Sequence, residues 1–209
     1  MAERRTTIVA LSSGAVPSGI AVIRLSGPAS RRSLHLLCGA VPEPRRLMLR
    51  TLRDEKGEEI DSGLVVFFPG PDSFTGEDCV ELHVHGSRAV VSALVNSLTS
   101  MGDIELAGAG DFTRRAFEAG KLDLTQVEGL GDLIAAETDS QRRLALGRRR
   151  GWIGEEIGDW RGRIIFLRAE IEARIDFSDE GDVPDTLPEQ FTADIAALSA
   201  QLQATLDTY

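Results

Sequence analysis

The segment from Ser73 to Gly86 reads S-F-T-G-E-D-C-V-E-L-H-V-H-G, and that from Gly110 to Glu128 reads G-D-F-T-R-R-A-F-E-A-G-K-L-D-L-T-Q-V-E. Carboxylates, histidines, arginines and a rare lysine crowd into short runs bounded by glycines, which is more ionic chemistry than surface solubility requires. After an opening turn the first run alternates with period two. Val80, Leu82 and Val84 fall on one face of a strand, and Cys79, Glu81, His83 and His85 on the other. The apolar row reads as core-facing. The opposite row holds four groups able to transfer a proton, ligate a metal or hydrogen-bond. Same-face neighbours on a strand stand roughly 7 Å apart, so His83 and His85 could share an ion but all four groups could not. No third ligand follows at a recognisable spacing, so a polar ligand-lining face or plain solvated histidines stand ahead of a metal site.

The second run reads as helix, turn, helix. Gly110-Asp111 supplies an N-cap, Phe112, Ala116 and Phe117 form an apolar stripe, and Gly120 is placed to stop the helix in the left-handed conformation. Lys121 follows that stop directly. Asp123 or Thr125 then opens the next helix, and Thr125 with Glu128 has capping-box spacing. A cation between a helix end and a helix start can meet an anionic ligand, or it can merely neutralise the carbonyl end of the preceding helix. Of 23 basic residues only Lys56 and Lys121 are lysines, and Lys56 sits in the polar turn D-E-K-G-E-E. A lysine at 121 in an arginine-using chain points to a need for a compact ammonium rather than a planar fork.

With G-I-A-V-I-R-L-S-G at Gly19 to Gly27 and I-E-A-R-I-D-F-S-D-E at Ile171 to Glu180 added, the chain closely resembles the MnmE (TrmE) family of tRNA-modification GTPases. The motifs occur in family order over nearly the whole chain. The resemblance implies an α+β fold: an N-terminal mixed sheet-and-helix domain over residues 1–121, similar to the folate-binding fold of the glycine-cleavage aminomethyltransferase. Part of an α-helical bundle then follows over 122–209. It further implies a homodimer with two folate sites, a flavoprotein (FAD) partner of the MnmG type, and tRNA as substrate. The family's folate contacts carry over to Arg24 of V-I-R-L-S-G, Glu81 of D-C-V-E-L and Lys121 of A-G-K-L-D-L. The implied ligand is 5-formyltetrahydrofolate or a related tetrahydrofolate, the one-carbon source for an aminomethyl-type group on the wobble uridine. On this reading Glu81 accepts the adjacent N–H and amino donors of a pterin, while Arg24 and Lys121 meet its anionic or carbonyl parts. Arg24 ends an apolar strand, so it needs a carboxylate in the protein or a ligand. A self-standing one-carbon transferase and a dimerisation scaffold with a vestigial pocket are the competing readings.

Two stretches depart from the family pattern: L-S-S-G-A-V-P-S-G at Leu11 to Gly19, and E-L-A-G-A-G-D-F at Glu105 to Phe112. No G-x-x-x-x-G-K-[ST] phosphate loop exists. The one Gly-Lys dipeptide, Gly120-Lys121, is followed by Leu122. GTP, with its Mg and K ions, is therefore expected only of full-length members, and hydrolysis by the family route is not expected of this chain. The family's C-terminal cysteine motif is also missing.

The elements that must hold these residues are legible from periodicity. Strands are expected at Thr7 to Leu11, Ile20 to Leu25, Leu47 to Arg53, Ile60 to Phe68 and Cys79 to His85, with D-E-K-G at Asp54 to Gly57 turning a hairpin. Helices are expected at Ala29 to Leu37 and Arg88 to Ser100. The back half is helical. Ile153, Ile157, Trp160, Ile164, Leu167, Ile171 and Ile175 form one stripe, and Phe191, Ile195, Leu198, Leu202 and Leu206 a second. Both read as bundle core. Between them D-F-S-D-E-G-D-V-P-D reads as an acidic loop. Tyr209 falls within a periodic segment, as expected of an unfinished bundle.

Charge divides the chain the same way. Through Lys121 there are 14 basic and 15 acidic residues, and beyond it 9 and 18. Every charged residue after Arg174 is acidic, a surface that repels nucleic-acid phosphates. The nine arginines from Arg142 to Arg174 are the one RNA-facing patch the sequence offers, and their interleaved acids make a solvated helix face the stronger alternative. Cys38 and Cys79 form no disulfide framework and suit a reducing compartment, with Cys38 a small buried residue in its helix. No signal-like or membrane-spanning stretch is present, so the expectation is cytoplasmic.

Overall fold

The computed structural model describes residues 6–149, 151–176 and 186–207, with the side chains of 152, 153 and 155 left aside. The chain forms two compact units, residues 1–122 and 123–209.

The first unit is a six-stranded sheet in the order β3-β4-β5-β2-β1-β6, made of β1 (Thr7–Leu11), β2 (Ser18–Ser26), β3 (Met48–Arg53), β4 (Glu59–Phe68), β5 (Cys79–Gly86) and β6 (Ile104–Leu106). Two helices, α1 (Ser30–Cys38) and α2 (Arg88–Thr99), carry buried leucines into the same core. All pairings are antiparallel except β1 with β6. Alternation places Ile23, Leu25, Val80, Leu82, Val65 and Phe67 in that core, with Leu34 and Leu37 of α1 and Leu94 and Leu98 of α2. Burial of this row on one sheet face is the main reason the register holds, since a slip of one residue would turn every apolar side chain outward. The turn at Asp54 to Gly57 closes the β3–β4 hairpin, with Gly57 N–H donating to Asp54 O and Asp54 N–H to Glu58 O.

The strand β6 escapes sequence reading because three residues are too few to display a period. It forms because α2 carries the chain from β5 over β2 and β1, and Ile104 then enters the core at 3% exposure. A glycine is indispensable just past the end of β2, beside the first residue of β1. Gly27 has φ +133°, and a Cβ there would stand 2.7 Å from Thr7 Cα. That close approach lets the buried Thr7 hydroxyl accept from Ala29 N–H, which caps α1 where the N-cap alanine cannot.

The helix α3 (Asp111–Glu118) starts at Gly110 in the left-handed region, with no side-chain cap. Of the Gly110-Asp111 pair expected to supply the N-cap, Gly110 is the cap and the Asp111 side chain takes no part in it. Its carboxylate instead accepts from Gly108 N–H and from Arg114. The helix ends as anticipated at Gly120, φ +66°, with Gly120 N–H on Phe117 O and Lys121 N–H on Ala116 O, the two bonds of a Schellman stop.

The second unit is helical: α4 (Leu124–Ala135), α5 (Asp139–Arg149), α6 (Trp152–Asp176) and α7 (Phe191–Leu206). The capping box lies at Asp123 and Gln126, not at Thr125 and Glu128. Asp123 stands just before the first helical residue while Thr125 is already inside the helix, so Asp123 reaches the first free N–H groups, and its carboxylate also accepts from the Thr125 hydroxyl. The expected core stripes are only partly buried. Leu167, Phe191 and Leu198 pack together with Trp160 and Leu202, whereas Ile157, Ile164, Ile171, Ile175, Ile195 and Leu206 are exposed. Two helices cover only one strip of each other, so the remaining isoleucines have no facing partner among the described residues. Ile153 and most of the acidic loop lie outside the described side chains. Of the arginines after Arg142, Arg142 and Arg143 pair with Asp139, Arg148 with Asp132, Arg168 with Glu172 and Arg174 with Glu170, the pattern of a solvated helix face. No described helix is long and apolar enough to cross a membrane.

Candidate functional site

The polar row of β5 lies on the sheet face opposite α1 and α2. Register sets Arg24 of β2 directly beside Glu81, with Val66 of β4 on the other flank. Glu81 Oε1 accepts from Arg24 Nη2 at 2.7 Å and Nε at 3.0 Å, and Oε2 lies 3.2 Å from His83 Nε2. The side chains of Arg24 and Glu81 are 29% and 19% exposed, so the pair is shielded but reachable. Two aromatic rings come to the same guanidinium, Phe74 at 5.5 Å and Phe112 at 5.7 Å. Arg24 therefore has the carboxylate partner its apolar strand demands, and Phe112 serves this cation rather than only the apolar stripe of α3.

Lys121 reaches the neighbourhood by a different route. The left-handed Gly76, φ +79°, leaves room for its stem. A Cβ on Gly76 would lie 3.4 Å from Lys121 Cε and 3.2 Å from Ala119 Cβ. The three expected residues thus divide into an ion pair, Arg24 with Glu81, and a lysine laid over the loop that leads into β5.

A polar cluster that sequence reading missed ties these parts together. Arg115 of α3 donates to Glu77 Oε2 at 2.8 Å, to Ser26 O at 3.2 Å and to Thr6 O at 2.7 Å. The Ser26 hydroxyl bonds Glu77 Oε2 and lies 2.7 Å from Thr75 Oγ1, and Thr75 in turn meets the buried Cys79 thiol at 3.2 Å. One signal was available. Arg115 shares a helix face with Phe112 and Ala116, so a charge stands inside a half-buried stripe, where it must be paired.

The remaining members of the row have separate duties. His85 donates its backbone N–H to Asp61 Oδ2 and holds Nδ1 2.8 Å from Oδ1. His83 and His85 thus attend different carboxylates, and no group of three or more metal-ligating side chains occurs among the described residues. Cys79 is buried, and Cys38, expected to be buried, is partly so: it packs against the core with its thiol on the carbonyls of Leu34 and Ala40. Burial pushes the Cys38 thiol upward.

Burial alone would raise the Asp61 carboxyl, but hydrogen bonds from the His85 main chain, the His85 ring and Ser62 N–H together hold it below its ordinary value of 3.8. A depressed folded-state value means that this carboxylate stabilises the fold above the unfolded pKa of about 3.9, and that the contribution is lost as pH falls through the lower folded value. Asp61→Asn should therefore cost about 1 kcal/mol in urea unfolding at pH 7, a penalty that shrinks as pH falls through that lower folded value. A penalty that does not shrink on acidification would remove the carboxylate from that role.

The family model described as GTP-binding protein TrmE N-terminus matches residues 7–121, and the MnmE helical domain matches 124–209. The chain belongs to the MnmE family. It is 52% identical over 196 residues to the tRNA modification GTPase MnmE of Rhizobium meliloti (strain 1021), covering 94% of this chain and 45% of that protein. The protein of the same name from Brucella anthropi is 49% identical over 203 residues, 97% of this chain and 46% of its own length. That from Sinorhizobium medicae is 52% identical over 196 residues, with 94% and 44% covered. The chain thus spans a little under half the length of these MnmE relatives. The sheet unit carries the first family match and the helical unit the second.

Proposed function

We propose that this chain is the tetrahydrofolate-binding and self-associating part of a protein that modifies the wobble uridine of tRNA. The observation that carries the reading is the Arg24–Glu81 pair on an open sheet face, flanked by His83, Phe74 and Phe112. The donor set fits a reduced folate. Oε1 already accepts twice from Arg24 and Oε2 faces His83 Nε2 alone among the described residues, so the adjacent N–H and amino donors of a pterin would take the free site on Oε2 and displace one of the two Arg24 bonds, leaving Arg24 held by the other. Arg24 and Lys121 supply the positive charge that a glutamate tail or a formyl oxygen calls for, and Phe74, 38% exposed, offers a flat apolar surface beside them. The bound folate would supply the one-carbon unit.

Self-association is supported by Leu49 and Leu64, which face each other across β3 and β4 at 64% and 40% exposure, in a unit whose charge is nearly balanced. GTP binding, the MnmG-type flavoprotein partner and tRNA as substrate belong to the longer protein, and cytoplasmic residence follows from that task. Calorimetric titration of the chain with 5-formyltetrahydrofolate should show saturable binding, and sedimentation equilibrium at tens of micromolar should show a dimer. Absence of heat and of any competition by other folates would overturn the ligand reading, and a monomer with and without folate would overturn self-association.

A further inference from the structure

We propose that Arg115 and Glu77 form a positioning pair that sets where Lys121 and Phe112 stand relative to Arg24 and Glu81. The inference rests on the folate reading for its functional consequence, but its structural core stands on this chain alone. The guanidinium of Arg115 is 13% exposed and bridges three separate segments: the residue before β1, the end of β2, and the loop before β5. Glu77, at 18%, receives both Arg115 and the Ser26 hydroxyl. A planar fork with several donors can span three acceptors, which a lysine ammonium at that depth cannot do with the same geometry.

What this pair holds is informative. Gly76 lies between Thr75 and Glu77, both anchored to Ser26, so the loop is pinned on each side of the glycine over which the Lys121 stem runs. The helix α3 is fixed by the same guanidinium. It carries Phe112 three residues before Arg115, against Arg24, and delivers Lys121 through the Schellman stop at Gly120. Arg115 itself makes no contact with Arg24 or Glu81 among the described interactions, so it acts through placement. Loosening it frees both an aromatic cover and an ammonium while leaving the Arg24–Glu81 pair on its strands.

The test uses the 209-residue chain with Arg115→Lys and, as a milder change, Glu77→Gln. The first readout is amide hydrogen exchange without ligand. Exchange should accelerate in residues 111–121 and 73–78 and stay unchanged in β2, β5 and α2. Uniform acceleration across the first unit would reduce the pair to general stability and overturn the proposal. The second readout is a double-mutant cycle on 5-formyltetrahydrofolate affinity. Arg115→Lys alone should weaken binding roughly tenfold, yet add less than about threefold in a Lys121→Met background, because the lysine it positions is already gone. Full additivity would overturn the proposal. Should the unaltered chain fail to bind folate, the ligand reading falls, while the exchange measurement still decides the positioning role. If Arg115→Lys does not fold, Glu77→Gln carries both readouts.

Discussion

Glu81→Ala is expected to weaken 5-formyltetrahydrofolate binding by about 2 kcal/mol or more, near thirtyfold, with the fold intact. On the proposed folate reading the change removes the pterin's acceptor, and it leaves the Arg24 guanidinium without its carboxylate. At 29% exposure Arg24 can recruit water, and Phe74 and Phe112 still face it, so the cost falls mainly on the ligand. Glu81→Gln should be milder, because one oxygen still accepts while the charge assistance is gone. Titration calorimetry separates the cases, and an unchanged dissociation constant for Glu81→Ala would take the residue out of the site.

The other large effect is on stability. Leu82→Ala should cost about 3 to 5 kcal/mol, since Leu82 is wholly buried on β5 between β2 and β4, where the surrounding strands cannot collapse into the void. Denaturant unfolding would measure it. A loss under about 1 kcal/mol would mean that this core relaxes far more freely than a packed sheet should. The residue sits next to Glu81 in sequence and points the opposite way, so one strand carries the main support of the fold on one face and the polar row on the other.

Much of the sheet was legible because β1 to β5 each run at least five residues rich in apolar side chains, with clear alternation in β5, and because Gly57 and Gly120 mark a turn and a helix stop that only a left-handed residue can make. The Arg24–Glu81 pairing was not legible. Each residue was visible as a charge on a strand, but the register that makes them neighbours is a property of two strands together. Arg115 and Glu77 were hidden for a related reason: their partners are backbone carbonyls and a serine hydroxyl remote in sequence, which have no signature of their own. In the helical unit periodicity located the helices but overstated their core: it could not say which apolar residues would find a partner, and Ile164 and Ile175, among others, are exposed.

The contacts that build the candidate site join residues 57, 38, 89 and 109 positions apart. No short piece of the chain can therefore preform it. The site is expected to form late in folding, once β1, β2, β5 and α3 have all docked, because closing such long loops is costly until many contacts form together. The same topology governs digestion by proteases: a cut in any of these segments dismantles the site, and a ligand held there slows cutting across the whole first unit instead of shielding one loop.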